Sequence, residues 1–152
     1  MPRTYQIGQL ARAGEVPVET IRYYEREGLL PQPRRSGGNF RLYDETHRER
    51  LVFIRQCRLL DMTLEEIHRL LALRDHPAAP CDEVNVLLDA HIGHVSERVA
   101  ELGRLKRDLQ ALRRRCQSSR GTADCAILAG LSDGTATRAP KRSAHGRRVH
   151  TR

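Results

Sequence analysis

The sequence predicts a mainly α-helical protein in which a winged helix-turn-helix unit is followed by one long helix that pairs antiparallel with a second copy. Three observations lead to this fold class. The first 74 residues hold short helical segments separated by glycine and proline. Residues 82–115 contain no proline and keep an apolar seven-residue repeat. Only 39% of the 152 residues are hydrophobic, and tryptophan is absent, so a dimer interface would add burial that the monomer lacks.

The N-terminal segment is predicted to form two short helices joined by a sharp turn. The helical segment IGQLARAG ends at Gly14. A second segment begins at Pro17, which suits the first position of a helix, and closes at Gly28, which suits a C-terminal cap. The prolines and glycines of residues 29–39 exclude regular structure, and residues 40–43 then alternate as in a brief strand. This pattern predicts a helix-turn-helix followed by a wing hairpin.

Two more helices complete the first unit, which we predict to span residues 1–74. Asp44 can cap the third helix, and Thr63 with Glu66 makes a capping box for the fourth. The apolar side chains of these helices are expected to form the core of the unit. They are Leu51, Ile54, Leu59, Leu64, Ile67, Leu70 and Leu71.

The long helix is predicted over residues 81–115, after a hinge at residues 75–80. Beyond it, residues 116–131 would form a loop and a short helix. Residues 132–152 lack apolar periodicity, which predicts a disordered basic tail. The repeat of the long helix would let two copies pair as an antiparallel coiled coil. It consists of Leu88, Val95, Leu102 and Leu109, flanked by Ile92 and Val99.

The net charge of +8 is unevenly distributed along the chain. The tail contributes +5 and residues 1–60 contribute +4, whereas residues 61–131 contribute −1. The structured positive charge therefore lies in the N-terminal unit, where a nucleic-acid surface is expected. No apolar stretch approaches the length of a membrane span or a signal peptide. We therefore expect a cytoplasmic protein without a membrane partner.

The second helix and the wing carry the side chains that a DNA-reading unit needs. A helix in the major groove presents hydrogen-bond donors to base edges, and a wing adds phosphate contacts. A solvated, arginine-rich face with half-buried tyrosines is the alternative, and the spacing alone leaves both interpretations open. The DNA-binding candidates are Thr20, Arg22, Tyr23 and Tyr24 on the helix and Arg34, Arg35, Arg41 and Tyr43 on the wing.

Three of the four cysteines form a pattern across the long helix. Cys116 and Cys125 bracket a short loop, and Cys81 precedes Cys116 by 35 positions. At about 1.5 Å per residue, the helix would separate Cys81 from Cys116 of the same chain by roughly 50 Å. An antiparallel pair instead brings the start of one helix beside the end of the other. The three thiols would then form a soft-metal site shared between the subunits of a homodimer.

Other cysteines and histidines fit this pattern less well. Cys57 lies among the leucines of the third helix and is interpreted as a core or helix-surface thiol. His91 and His94 lie near the apolar seam of the long helix and are interpreted as packing or surface residues. His145 and His150 in the tail could capture a second ion weakly.

Other classes of function are weaker interpretations of the sequence. An enzyme would need a nucleophile with an oriented base, paired carboxylates or a phosphate-binding glycine loop, and none occurs at usable spacing. Cytosolic thiols are more often free or metal-bound than disulfide-bonded, but Cys116 and Cys125 could pair in a thiol redox sensor. A DNA-architectural protein without an effector also stays open, and DNA binding that ignores metals would identify it.

A resemblance to a known family comes from residues 18–67. Their sequence, VETIRYYEREGLLPQPRRSGGNFRLYDETHRERLVFIRQCRLLDMTLEEI, resembles the DNA-binding half of MerR-family transcriptional regulators, and the resemblance extends to residue 131. The motifs IRYYEREGLL and NFRLY are its specific part. By this resemblance, Arg22 and Tyr24 match contact positions of the recognition helix, and the wing contact positions are matched by Phe40, Arg41 and Tyr43.

The resemblance also implies an effector and a mechanism. Family members that sense divalent metals are similar to this chain in having a cysteine at the Cys81 position, where copper(I) sensors typically have serine. The segments that begin at Cys57 and Cys81 look most like the cadmium- and lead-responsive branch. We therefore expect Cd(II) or Pb(II), with Zn(II) or Hg(II) as alternatives. The family implies that a homodimer on double-stranded promoter DNA distorts the duplex when metal binds, so that RNA polymerase can engage both promoter elements.

Overall fold

The computed structural model describes residues 2–117 and 121–137. The chain divides into two units, one ending at Gly93 and the other beginning at His94. The tail histidines, His145 and His150, lie outside the described residues. In the part of the chain that is described, no helix is both long and apolar enough to cross a bilayer.

The first unit combines four helices with a small sheet before the long helix begins. Its strands pair antiparallel in the order β1-β3-β2, with Tyr5 opposite Tyr43 and Arg35 opposite Arg41. The sheet therefore joins the N-terminus to the wing. The elements are β1 (Thr4–Tyr5), α1 (Ile7–Gly14), α2 (Val18–Arg26), β2 (Arg34–Arg35), β3 (Arg41–Asp44), α3 (Glu45–Leu59) and α4 (Leu64–Arg74).

Side-chain caps explain where α3 and α4 begin. Asp44 Oδ1 accepts the backbone N–H of His47 at 3.2 Å, and Thr63 Oγ1 accepts that of Glu66 at 3.2 Å. The Glu66 carboxylate in turn accepts the Thr63 backbone N–H at 2.7 Å. Both caps expected from the sequence are therefore present, and the second is a complete capping box.

One apolar cluster holds the helices and the sheet of the first unit together. Gly14 ends α1 so close to α3 that a Cβ at this position would lie 2.4 Å from Leu51 Cδ2. Gly28, just beyond α2, has a φ of +74°, in the left-handed region that favours glycine. Glycine at these positions lets the chain turn and pack closely. The largest fully buried side chains are Leu10, Ile21, Leu29, Leu30, Tyr43, Leu51, Ile54, Ile67 and Leu71.

Leu59 is exposed, with 68% of its surface accessible, although its spacing predicts a core position. The helix ends at this residue, and the chain reverses through Asp61, whose φ of +60° lies in the left-handed region. This turn buries Met62, whose backbone N–H donates to the Cys57 carbonyl at 3.1 Å. Met62 therefore fills the core beyond the end of α3, while Leu59 faces solvent.

The long helix α5 spans Cys81–Arg114, which ends one residue before the predicted boundary. A short 3-10 turn at Thr122–Asp124 and the helix α6 (Ala126–Ser132) follow it. In the single chain the apolar seam of α5 is exposed to solvent. The exposed seam side chains are Leu88, Ile92, Val95, Val99, Leu102, Leu105 and Leu109.

The structure differs from the sequence prediction in three further places. Strand β1 was not predicted, and strand β2 lies in the segment whose prolines and glycines predicted irregular structure. The first residues of the predicted tail continue the fold of α6, because the N–H groups of Thr135 and Ala136 donate to the Gly130 carbonyl at 3.0 and 2.9 Å. The rest of the predicted tail, residues 138–152, lies outside the described residues.

Candidate nucleic-acid interface and candidate metal ligands

Most of the predicted DNA-binding side chains are accessible on the first unit. On α2, Thr20 is half-buried, and the Arg26 guanidinium lies 5.9 Å from the centre of the Tyr23 ring. Such a cation–π contact holds an aromatic ring beside a positive charge. The six exposed candidates are Arg22, Tyr23, Arg34, Arg35, Phe40 and Arg41.

The tip of the wing is held by its own hydrogen bonds. The Ser36 N–H donates to the Phe40 carbonyl at 2.8 Å, and the Phe40 N–H donates to Ser36 Oγ at 3.2 Å. Arg35 Nη1 donates to Asn39 Oδ1 at 3.0 Å, and the φ of Asn39 is +65°, which asparagine tolerates well. These contacts present the Phe40 ring at the tip, with 68% of its surface accessible.

Tyr24 and Tyr43 are buried, although both were predicted to contact DNA. Tyr24 is 6% accessible and Tyr43 is fully buried. Burial raises the pKa of both hydroxyl groups. Tyr24 lies on the inward face of α2 beside Ile21, and Tyr43 lies on the central strand of the sheet, over the core. Their burial removes both rings from the surface that is accessible to a duplex.

A buried network of polar side chains lies in the same unit as the exposed DNA-binding candidates. It includes residues that the sequence analysis did not identify. The Tyr43 hydroxyl donates to Glu25 Oε1 at 2.5 Å, and Glu25 is only 7% accessible. On the other side, the His47 ring meets Tyr43 edge-on, with 5.3 Å between ring centres. His47 Nε2 lies 3.1 Å from the Pro31 carbonyl oxygen. The sequence held one signal for the burial of Glu25. It directly follows Tyr24 and lies four positions after Ile21, on the inward face of α2.

The four cysteines differ in their surroundings. Cys81 is exposed and is the first residue of α5. Cys116 and Cys125 are half-buried, in the segment between α5 and α6. Cys57 is buried in the core of the first unit, and burial raises the pKa of its thiol. Cys57 is therefore the least suited of the four to bind a metal as a thiolate.

His91 is buried rather than exposed on the seam of α5, with 6% of its surface accessible. Its Nδ1 lies 3.1 Å from Glu66 Oε1, and its Nε2 lies 2.8 Å from the Leu60 carbonyl oxygen. Burial raises the pKa of Glu66, but hydrogen bonds from Thr63 and His91 outweigh it and hold the pKa below its usual value. This contact is an anchor between the first part of α5 and the start of α4. Local sequence could not predict it, because 25 residues or more separate the partners.

Two family models match the chain along most of its length. One describes the MerR helix-turn-helix family of regulatory proteins and matches residues 5–73. The other describes the DNA-binding region of MerR and matches residues 48–112. The two ranges overlap in α3 and α4 and extend almost to the end of α5.

Individual relatives agree with the family match. The regulator PbrR691 of Ralstonia metallidurans CH34, solved in complex with lead(II), is 54% identical, with a TM-score of 0.76 over 84% of this chain and 98% of that one. MerR of Bacillus megaterium MB1, solved with mercury(II), is 32% identical, with a TM-score of 0.67 over 84% and 99%. The ZntR homologue of Haemophilus influenzae is 47% identical over 114 residues, which are 75% of this chain and 84% of that protein. The chain therefore belongs to the MerR family of helix-turn-helix transcriptional regulators, which bind DNA and are not enzymes.

Proposed function

We propose that this regulator is a homodimer that binds promoter DNA and activates transcription when Cd(II) or Pb(II) binds to Cys81, Cys116 and Cys125. The observation that carries the proposal is the position of three cysteine thiols around α5. One stands at the first residue of the helix, and two stand in the segment that follows it. We expect the protein to work in the cytoplasm, where such thiols stay reduced.

The length of α5 supports a site shared between two chains. A helix of 34 residues is about 50 Å long, so a thiol at its first residue and thiols beyond its last residue cannot share one ion through that helix. Pairing two copies antiparallel would bring each Cys81 beside the loop of the partner chain. Such a dimer has two equivalent sites.

The exposed seam of α5 supports the homodimer itself. Its leucines, isoleucine and valines repeat at the spacing of a coiled coil, and each is at least 37% accessible in the single chain. Apolar stripes of this length are buried in stable proteins. Burying apolar surface contributes roughly 25 cal/mol of stabilisation per Å². A second copy of the same helix offers the matching stripe.

The chemistry of three thiolates supports a soft divalent metal. Sulfur ligands favour Cd(II), Pb(II), Hg(II) and Zn(II) over hard cations such as Mg²⁺. The 54% identical relative crystallised with lead(II) favours Pb(II) or Cd(II) for this chain. Zn(II) and Hg(II) are the alternatives that a metal titration would test.

The exposed arginines of the first unit support the DNA surface. Arg22 on α2 would reach the major groove, while Arg34, Arg35 and Arg41 on the wing would contact phosphates. We propose that metal binding makes the dimer bend and untwist the promoter so that RNA polymerase can engage both elements. Such deformation costs about 1 to 6 kcal/mol, which metal binding must help offset.

Mixed dimers of two cysteine variants test the shared site. Homodimers of Cys81→Ser and of Cys116→Ser should each bind DNA but fail to respond, because both of their sites are incomplete. In a tagged heterodimer, the Cys81→Ser chain still offers Cys116 and Cys125 to the intact Cys81 of its partner. One complete site should therefore return and bind about one metal ion per dimer, observed as thiolate-to-metal charge-transfer absorption.

Controls separate this proposal from its alternatives. Cys57→Ala removes a buried thiol outside the proposed set and should leave metal binding intact. A heterodimer that recovers no tight site would exclude the shared geometry. A response that needs an oxidant and a disulfide between Cys116 and Cys125, but no metal, would identify a redox sensor. DNA binding and transcription that ignore every metal would identify an architectural protein.

A further inference from the structure

We propose that Glu25 and Tyr43 are a positioning pair that holds the wing at a fixed angle to the recognition helix α2 and so sets operator affinity and specificity without touching DNA. The inference rests on the proposed DNA surface, because it concerns how two parts of that surface are held relative to one another. Neither residue needs to be accessible for this role. Both are buried.

Each member of the pair is a near neighbour in sequence of an arginine that is proposed to contact the duplex. Glu25 follows Arg22 by three residues on α2, which is about one helical turn. Tyr43 follows Arg41 by two residues on β3. Although burial and the hydrogen bond to Glu25 raise the pKa of Tyr43, the positive charges of Arg41 and Arg22 both act to lower it. The hydroxyl therefore lies within the electrostatic reach of both arginines.

This hydrogen bond is a specific link between α2 and the wing, the two parts that are proposed to contact DNA. Within residues 2–117, no other side-chain hydrogen bond or ion pair joins α2 to β2 or β3. On the other side of Tyr43, the His47 ring of α3 contacts it edge-on. The Tyr5 hydroxyl donates to Glu45 at 2.7 Å and so joins β1 to α3. The Tyr43 hydroxyl is thus the side-chain polar contact between α2 and the wing, and it adds a direction to the apolar packing that α2 and β3 share.

Because the bond between Tyr43 and Glu25 is buried, losing one partner is costly for the other. Every buried polar side-chain atom in the described part of the chain has a hydrogen-bond partner. Removing the Tyr43 hydroxyl would leave the Glu25 carboxylate without its donor in a site with little water, and such a group shifts to regain a partner. A small movement of α2 against the wing would then prevent Arg22 and Arg41 from reaching one duplex together.

Three variants distinguish positioning from direct contact. Tyr43→Phe removes the hydroxyl alone. Tyr5→Phe is the matched control, because Tyr5 faces Tyr43 across the sheet and also donates its hydroxyl to a carboxylate, but that carboxylate belongs to α3. Arg41→Ala removes a proposed phosphate contact. The probes are a duplex selected from a random library by the unaltered full-length protein and a random-sequence duplex of equal length.

For Tyr43→Phe we expect affinity for the selected duplex to fall about tenfold, the effect of one lost hydrogen bond. The dependence of affinity on salt should keep its slope, because no phosphate contact is lost, and affinity for the random duplex should change much less. Tyr5→Phe should leave the selectivity between the two duplexes unchanged. Arg41→Ala should reduce the salt slope by about one unit.

A double variant tests whether the effect is only one of stability. Replacing both partners with apolar residues, Tyr43→Phe with Glu25→Met, removes the unpaired carboxylate and should restore the unfolding midpoint. Selectivity for the chosen duplex should stay low, because the link is still absent. Restored selectivity would overturn positioning and leave a purely structural pair. A reduced salt slope in Tyr43→Phe would overturn it in favour of direct phosphate contact. If Arg41→Ala changes neither affinity nor slope, the proposed DNA surface itself is wrong.

Discussion

Buried polar side chains in the first unit each have a partner on another segment. Glu25 on α2 accepts from Tyr43 on β3, and His91 on α5 lies against Glu66 and the Leu60 carbonyl. Buried groups of this kind are costly unless they are hydrogen-bonded, so each pair favours one arrangement of its elements over others. A few polar contacts inside an apolar core therefore favour one arrangement of the elements in this unit.

Glu66 gives the first unit a predictable response to acid. Because its folded-state pKa is held below its usual value of 4.5, its contribution to stability is present above about pH 4.5 and is lost as the pH falls through the folded-state value. Glu66→Gln should lower the free energy of unfolding by about 1 to 2 kcal/mol at neutral pH, since it weakens the cap of α4 and the contact with His91. Urea unfolding at pH 7 and at successively lower pH measures this difference, which should shrink in acid. A deficit that is independent of pH would contradict the assignment.

Arg41 is predicted to contact DNA and not to stabilise the fold. It is exposed on the wing, and neither the apolar core nor a side-chain hydrogen bond in the described residues depends on it. Arg41→Ala should therefore weaken operator binding and leave the unfolding midpoint nearly unchanged. Binding measured across a series of salt concentrations should show the slope reduced by about one unit if one phosphate contact is lost. An unchanged affinity and slope would reject the contact.

Local signals in the sequence predicted the helices well. Asp44 and the Thr63–Glu66 box mark helix starts that the structure reproduces, and the proline-free apolar repeat gives α5 almost its full length. Strand β1 could not be predicted, because two residues carry no periodicity and pair with a strand about 40 positions away. The spacing likewise could not separate the exposed Tyr23 from the buried Tyr24, since neighbouring tyrosines on a short helix look alike until the core is known.

The seam of α5 carries the prediction for dimerisation. Leu102 lies near the middle of the helix with half of its surface exposed in the single chain. Leu102→Asp would bury a charge at the proposed interface and should shift the protein toward monomer at micromolar concentration. Ala100→Asp is the matched control, because residue 100 is exposed and lies about 200° around the helix from Leu102. Sedimentation velocity compares the two, and an intact Leu102→Asp dimer would exclude this seam.

The two proposed activities use different parts of the chain. The side chains proposed to bind DNA lie in the first unit, whereas the proposed metal ligands Cys116 and Cys125 lie in the second. A metal site shared across the dimer would join the second unit of one chain to Cys81 in the first unit of its partner. Coupling between metal and DNA would then be a property of the dimer, and the bond between Glu25 and Tyr43 would keep the wing and the recognition helix moving together.

The basic C-terminal segment allows a prediction that separates affinity from sensing. Residues 138–152 carry six basic side chains and no acidic one, together with His145 and His150. Deletion should begin at residue 138, since Thr135 and Ala136 are bonded to the Gly130 carbonyl and removing them would disturb the end of α6. The truncated protein should bind random DNA more weakly at low salt, because it neutralises fewer phosphates.

The truncated protein should respond to metal as the full-length protein does, because the three proposed thiol ligands all lie before residue 138. Two full-length variants identify the cause of each effect. Replacing the six basic residues with glutamine should reproduce the loss of random-DNA binding while keeping both histidines. Replacing His145 and His150 with alanine should keep random-DNA binding and leave the metal dose-response of a reporter promoter in place. A large shift in metal sensitivity in the histidine variant alone would show that the segment supplies ligands, and the three-thiolate site would then be incomplete as proposed.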